Sequence, residues 1–137
     1  MTPPPHLLLA VAAGGAMGAA SRYLLDAWVP ERLGFPWTTL AINIVGSFLL
    51  ALLPAVAFVR RSPQWSTALG PGLLGGFTTL SAYAEESRAL LADDQAVAAA
   101  CYVVATLVAC VAAVLVAEIL VGRRERQREI DANLGGP

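Results

Sequence analysis

Four long stretches of this chain contain no Asp, Glu, Lys or Arg: Leu7–Ser21, Leu33–Val59, Ser62–Ala84 and Gln95–Ala117. An apolar helix crosses the hydrocarbon layer of a bilayer in ~20 residues, and three of the four runs exceed that length. The first attains it by continuing through Arg22 to Leu25. Main chain in lipid must satisfy its own hydrogen bonds, so the crossings are helices or closed barrels. Uninterrupted apolar runs of this length predict helices. The expectation is an all-α membrane protein, a single membrane domain over 1–137. Its four crossings are placed at about 6–28, 37–59, 65–88 and 97–122, and a polar C-terminal tail follows over 123–137. Charged residues make up 14% of the chain, against roughly a quarter in a soluble domain.

The segment MTPPPHLLLAVAAGGAMGAA places small residues after an apolar core, as a secretory leader does. No basic residue precedes the apolar run, so it is read as the first crossing. The net charge is −1 and lysine is absent, which leaves no basic patch for nucleic acid. The run GRRERQREIDANLGGP after the last crossing reads as a solvated helix end. Cys101 and Cys110 fall on opposite faces of one predicted helix, about 13 Å apart along its axis, and cannot pair within the chain. The single histidine, His6, has no cysteine or carboxylate at ligand spacing. With no Ser/His/Asp set and no phosphate loop, the chain is not expected to be an enzyme.

Polar residues inside the crossings carry more information. Gly14 and Gly18, with Gly15, Ala19 and Ser21, give the first crossing a small-residue face for close helix packing. Asn43 lies near the middle of the second crossing, where an amide needs partners. Interhelical glue and a polar path both account for it. Trp37 and Trp65 stand at crossing ends, as in an aromatic belt. Tyr102, Thr106 and Cys110 form a stripe at steps of four on the last helix. Thr106 alone carries little weight, because threonine in a membrane helix usually bonds the carbonyl four residues earlier.

The third crossing, TALGPGLLGGFTTLSAYAEE, is the anomaly. Gly70, Pro71, Gly72, Gly75 and Gly76 predict a break, since proline removes a donor and each glycine costs about 1 kcal/mol relative to alanine. A kinked, glycine-packed helix is the plain alternative. Broken main chain at membrane depth is tolerated where protein or an aqueous cavity covers it. It also frees carbonyl oxygens, hard ligands suited to an alkali cation.

Three segments together resemble the CrcB/Fluc fluoride-channel family: GGAMGAASRY (Gly14–Tyr23), TLAINIVGSFLL (Thr39–Leu50) and GLLGGFTTLSAY (Gly72–Tyr83). Tyr102, Thr106 and Cys110 fit the polar track of its fourth crossing, and the resemblance extends from Gly14 to Gly122. It implies a four-helix subunit, its third helix broken near the middle, paired with an antiparallel copy or a related chain. It further implies two narrow fluoride pathways and one central Na+ that is structural and not transported. By match to the motif, the backbone carbonyls of Gly75 and Thr78 bind that ion, with two more from the partner. Asn43, Thr79, Leu80, Ser81, Tyr83, Tyr102 and Thr106 would line the ion pathway, and Arg22 matches a vestibule arginine. Taken alone, Arg22 reads equally as an arginine snorkelling to the interface. The physics agrees with such a role: amide and hydroxyl hydrogens and aromatic edges replace fluoride's water. A buried cation offsets part of the anion's desolvation cost.

The chain departs from the family at two positions after the Thr-Thr pair, carrying Leu80 and Tyr83 where phenylalanine is usual. Leucine has neither a donor nor an electropositive edge. Arginines are also unevenly placed: Arg60, Arg61, Arg123, Arg124, Arg126 and Arg128 on the side of the termini, Arg22, Arg32 and Arg88 on the other. That bias predicts termini in the cytoplasm and raises the alternative of a heterodimer with an oppositely oriented partner. The leading expectation is a multi-pass channel of the cell membrane that lets fluoride leave passively, with no proton-coupling carboxylate inside a crossing. Glu118, at the end of the fourth, is read as interfacial. A non-conducting assembly subunit is a further alternative. A small multidrug-type exporter fits poorly, because AVAAGGAMGAA lacks the buried acid that exchanges protons for drug.

Overall fold

The computed structural model describes residues 3–29 and 34–134, the last ten of these by main chain only. Among the described residues every regular element is helical, as the long apolar runs dictate. Helix α1 (Pro5–Trp28) opens with Pro5 in its first turn, where a missing N–H costs nothing. Helix α2 (Trp37–Leu52) passes into a 3₁₀ turn (Leu53–Ala55) at Pro54, which cannot continue the ladder. Two short helices follow, α3 (Ala57–Arg61) and α4 (Pro63–Thr67). Ser62 caps α4 by accepting from the Trp65 N–H at 3.5 Å, with Pro63 at its first position. A π-helical segment (Ala68–Leu74) runs into α5 (Gly75–Phe77), and α6 spans Leu80–Ala92. Helix α7 occupies Ala96–Leu134, so the helix end expected after the last crossing runs on through most of the C-terminal tail.

The α6–α7 corner has a local cause. Gln95 N–H bonds the Leu90 carbonyl at 2.9 Å and Asp94 N–H bonds that of Leu91 at 3.3 Å. Asp94 takes φ 58°, a left-handed conformation that aspartate tolerates. This is the Schellman closure of a helix end. It folds α6 back on α7, and Leu90, Ala99 and Tyr102 form the buried cluster between them.

Three helical stretches are long and apolar enough to cross a membrane: Pro5–Trp28, Trp37–Ala55 and Ala96–Arg124. The third expected crossing is in pieces. Its interruption, however, lies at Thr78–Thr79, not in the glycine-proline run. Thr78 (φ −72°, ψ 158°) and Thr79 (φ −148°, ψ 119°) are extended, while residues 68–77 stay helical.

Gly14, Gly18 and Gly76 serve packing. Helix α1 lies against the π segment and α5 at main-chain contact distance. A Cβ at Gly14 would stand 2.1 Å from the Ala68 carbonyl oxygen, and one at Gly18 would stand 2.0 Å from that of Leu73. From the other side, a Cβ at Gly76 would come within 2.4 Å of the Gly15 oxygen. Facing glycines let two backbones touch, as in small-residue membrane interfaces. The packing reading of Gly14 and Gly18 holds, and the helix-breaking reading of Gly70–Gly76 is corrected.

Candidate functional site

Asn43 decides where the helical stretch between α4 and α6 opens. From the middle of α2 its Oδ1 accepts the Thr79 N–H at 2.8 Å, and its Nδ2 donates to the Thr79 carbonyl at 3.0 Å. One side-chain amide thus replaces both helical partners of one residue. In an unbroken helix the Thr79 N–H would bond the Gly75 carbonyl. Here it is turned towards Asn43, and the last main-chain bond of that ladder is Thr78 N–H to Leu74 at 3.0 Å. Asn43 is therefore interhelical glue, bonded to main chain, and it also lines the groove beside it. The clasp engages one of the two amide hydrogens.

Gly46, one turn on, completes the seat. A Cβ there would lie 2.2 Å from Thr78 Cγ2, so glycine makes room for the threonine methyl. The Thr79 hydroxyl then caps α6 by accepting from the Ala82 N–H at 3.1 Å, and lies 3.3 Å from the Ser81 hydroxyl. In this way Asn-x-x-Gly-Ser on α2 and Thr-Thr after α5 are two halves of one joint.

The joint borders a groove of about 280 Å³ between α2, α6 and α7, lined by polar Asn43, Ser47, Thr78, Thr79, Tyr83 and Thr106 and by Leu50, Leu80, Leu107 and Cys110. Leu80 is 78% exposed. Tyr83 stacks 5.4 Å from Tyr102, ring to ring, and donates to the Val103 carbonyl at 3.3 Å. Thr106 is buried, and its hydroxyl donates to the Tyr102 carbonyl at 2.7 Å. That bond uses its hydrogen and leaves lone pairs outward, so Thr106 is an acceptor in this state, contrary to its expected role as donor. Ser81 is exposed at the head of α6, outside the residues that line the groove.

Beyond Tyr83, the structure assembles a group that the sequence reading passed over. Glu86 accepts from the Thr39 hydroxyl and from the Tyr102 hydroxyl, each at 2.6 Å, one on each carboxyl oxygen. Tyr102 is fully buried, with Phe35 against it edge-on at 5.5 Å. A half-buried carboxyl held by two hydroxyls therefore lies within residues 65–88, the range expected of the third crossing. It was hidden by its neighbours, because Glu85 and Arg88 on the same helix form an ordinary exposed pair at 2.5 Å.

Gly75 is exposed and Thr78 half-buried, on either side of the joint. Arg22 is half-buried one turn beyond Gly18, and its Nε, out of contact with solvent, has no hydrogen-bond partner among the described residues. Cys101 and Cys110 are free thiols. Arg32 lies outside the described residues, as do the side chains of Arg126 and Arg128. Among the described residues no cluster of three His, Cys, Asp or Glu side chains is placed to hold a metal.

Residues 9–118 match the family model described as CrcB-like protein, Camphor Resistance (CrcB). The chain belongs to the CrcB family. It is 42% identical over 123 residues to the fluoride-specific ion channel FluC of Erythrobacter litoralis, covering 82% of this chain and 90% of that protein. It is 41% identical over 114 residues to FluC of Hahella chejuensis, covering 80% and 89%. FluC of Anaeromyxobacter dehalogenans is 41% identical over 118 residues, covering 83% and 94%. These relatives bear the name of a channel, and CrcB proteins are not enzymes.

Proposed function

We propose that this CrcB protein is a passive fluoride channel of the cell membrane, crossing it four times, with residues 63–92 as the interrupted third crossing. The carrying observation is the clasped Thr78–Thr79 joint beside a polar groove, in a chain whose relatives are named fluoride-specific channels. A break of this kind sets a helix C-terminus against a helix N-terminus. The first presents carbonyl oxygens, suited to a cation, and the second presents N–H groups, suited to an anion. Fluoride moving along the groove would exchange water for Asn43 and the hydroxyls of Ser47 and Thr79, and for the edge of Tyr83. Leu80 adds only apolar wall.

A structural Na+ fits the carbonyls of Gly75 and Thr78. The Thr79 N–H no longer engages the Gly75 oxygen. A Cβ at Gly75 would meet only the Gly70 oxygen, at 3.8 Å, so packing within the chain does not require glycine there. Close approach of a group from outside the chain would. Two carbonyls are too few for an alkali cation, and an antiparallel second subunit would supply the rest. When bound, the ion raises the local potential for anions.

The test is fluoride efflux from liposomes carrying the purified chain, followed by electrode, with Na+ or a large organic cation on both sides. Rapid efflux of fluoride and not chloride, lost without Na+, is expected. No efflux under any condition overturns the channel reading for the chain alone, and efflux indifferent to Na+ overturns the sodium site. A second reading, a weakly conducting subunit of a heterodimer, is favoured by Leu80 in the groove and by the arginine bias. Leu80→Phe separates the two. A several-fold gain in flux marks a drifted pathway within a conducting chain; no gain, with flux restored only by a second subunit, marks the heterodimer.

A further inference from the structure

The central groove does not end where its polar residues do. A second cavity of about 260 Å³ shares Ser47 and Cys110 with it and reaches Glu118 on α7. A third, of about 370 Å³, shares Leu50 with it and reaches Arg60 and Ser66 beside Gly70 and Pro71. Both adjoin the C-terminal half of α2, the first through Ser47 and the second through Leu50. The two cavities that share wall residues with the groove therefore differ in charge, one walled by a carboxylate and the other by a guanidinium. Neither charge is neutralised by a neighbour: among the described residues the only ion pair is Arg88–Glu85. One turn on from Glu118 stand Val121 and Gly122, which carry no charge.

We propose that these cavities are two branches of the groove at one mouth, whose electrostatics Arg60 and Glu118 set in opposite senses. Arg60 gathers anions into its branch and Glu118 holds them out of the other, so that fluoride uses the arginine-walled branch. This rests on the fluoride-channel reading and adds the entry point and two charge-determining residues. A unit charge at a narrow mouth alters the local anion concentration through its potential, and salt screens that potential. Arg61, next in sequence, is exposed but lines neither branch, so it is the internal control.

The experiment measures initial fluoride efflux from liposomes for wild type, Arg60→Gln, Glu118→Gln and Arg61→Gln. It is run at low and high ionic strength, the latter set with a salt of a large impermeant anion. At low ionic strength Arg60→Gln is expected to slow efflux about two- to fourfold and Glu118→Gln to quicken it about twofold, with Arg61→Gln near wild type. The differences shrink towards none within a Debye length of ~3 Å at 1 M salt. Arg60→Lys, which keeps the charge, should restore the rate. A merely structural role would slow both variants and ignore salt. Equal or same-sign effects at Arg60 and Glu118, or an Arg61 effect as large as that of Arg60, overturn the proposal while leaving the channel reading intact. Should Arg60→Gln not yield folded protein, the sign of the Glu118→Gln effect still decides. A wild-type chain that passes no fluoride overturns the channel reading and this proposal together.

Discussion

The seam between α1 and residues 68–77, and the joint at Thr78–Thr79, are neighbours in the chain but are built on opposite chemistry. In the seam, backbone lies on backbone, and glycines on both sides leave no room for a Cβ. At the joint, side chains reach to backbone: Asn43 takes both polar groups of Thr79, and the Thr79 hydroxyl caps the next helix. The residues usually blamed for breaking helices sit in the part that remains helical. The break falls where a competing amide is available. Glycine weakens a helix by about 1 kcal/mol per residue, yet close packing recovers such a loss. A main-chain N–H buried without a partner costs about 1–3 kcal/mol, so the offer of a better partner decides where the ladder ends.

The comparison breaks most visibly at the seam. Gly18→Leu would drive carbon into the Leu73 carbonyl, and no flexible side chain is there to yield. A loss of about 3 kcal/mol or more is expected, read as loss of a monodisperse peak in detergent; a stable, monodisperse variant would mean that the seam is looser than described. Next comes the joint. Asn43→Ala leaves the Thr79 N–H and carbonyl without partners, costing about 2–3 kcal/mol by denaturant titration in micelles. Fluoride efflux should fall at least tenfold with it, because the groove wall and the clasp are the same residue.

Smaller effects sharpen the contrast within the polar region. Tyr102→Phe removes one hydroxyl from Glu86 while keeping the buried ring, for about 1–2 kcal/mol; an unchanged melting curve would show that the remaining partners of Glu86 suffice. Thr106→Val is expected to cost under ~0.5 kcal/mol, since its hydroxyl only back-bonds within its own helix. A large loss of flux from this variant, without loss of stability, would show that the Thr106 hydroxyl turns from the Tyr102 carbonyl to donate to the permeating ion.

The seam's glycines on α1 were legible as a packing face, because spacing of four on one helix is a local property. So was the membrane character of the chain, since length without charge is read directly. The glycine-proline run was misread for an instructive reason. Its residues are intrinsically poor helix formers, and the partner that makes them acceptable, α1, lies some fifty residues earlier. Glu86 was missed in the same way: a carboxylate next to Glu85 and Arg88 looks solvated until Thr39 and Tyr102 close on it. Leu80 was flagged by the family pattern, and its exposure in the groove gives that departure a location.

What the sequence determined by itself is everything that depends on neighbours along the chain: apolar length, the proline at the first position of α1, the small-residue face, and family membership. The tertiary structure decided which competing hydrogen bonds are made. Asn43 has equal claim to many partners until α2 is laid against the Thr78–Thr79 joint, and only then does it take Thr79. That choice moves the break by several residues and gathers Thr39, Glu86 and Tyr102 around one carboxyl. Hydrogen bonds between distant residues are settled by geometry that no local window contains.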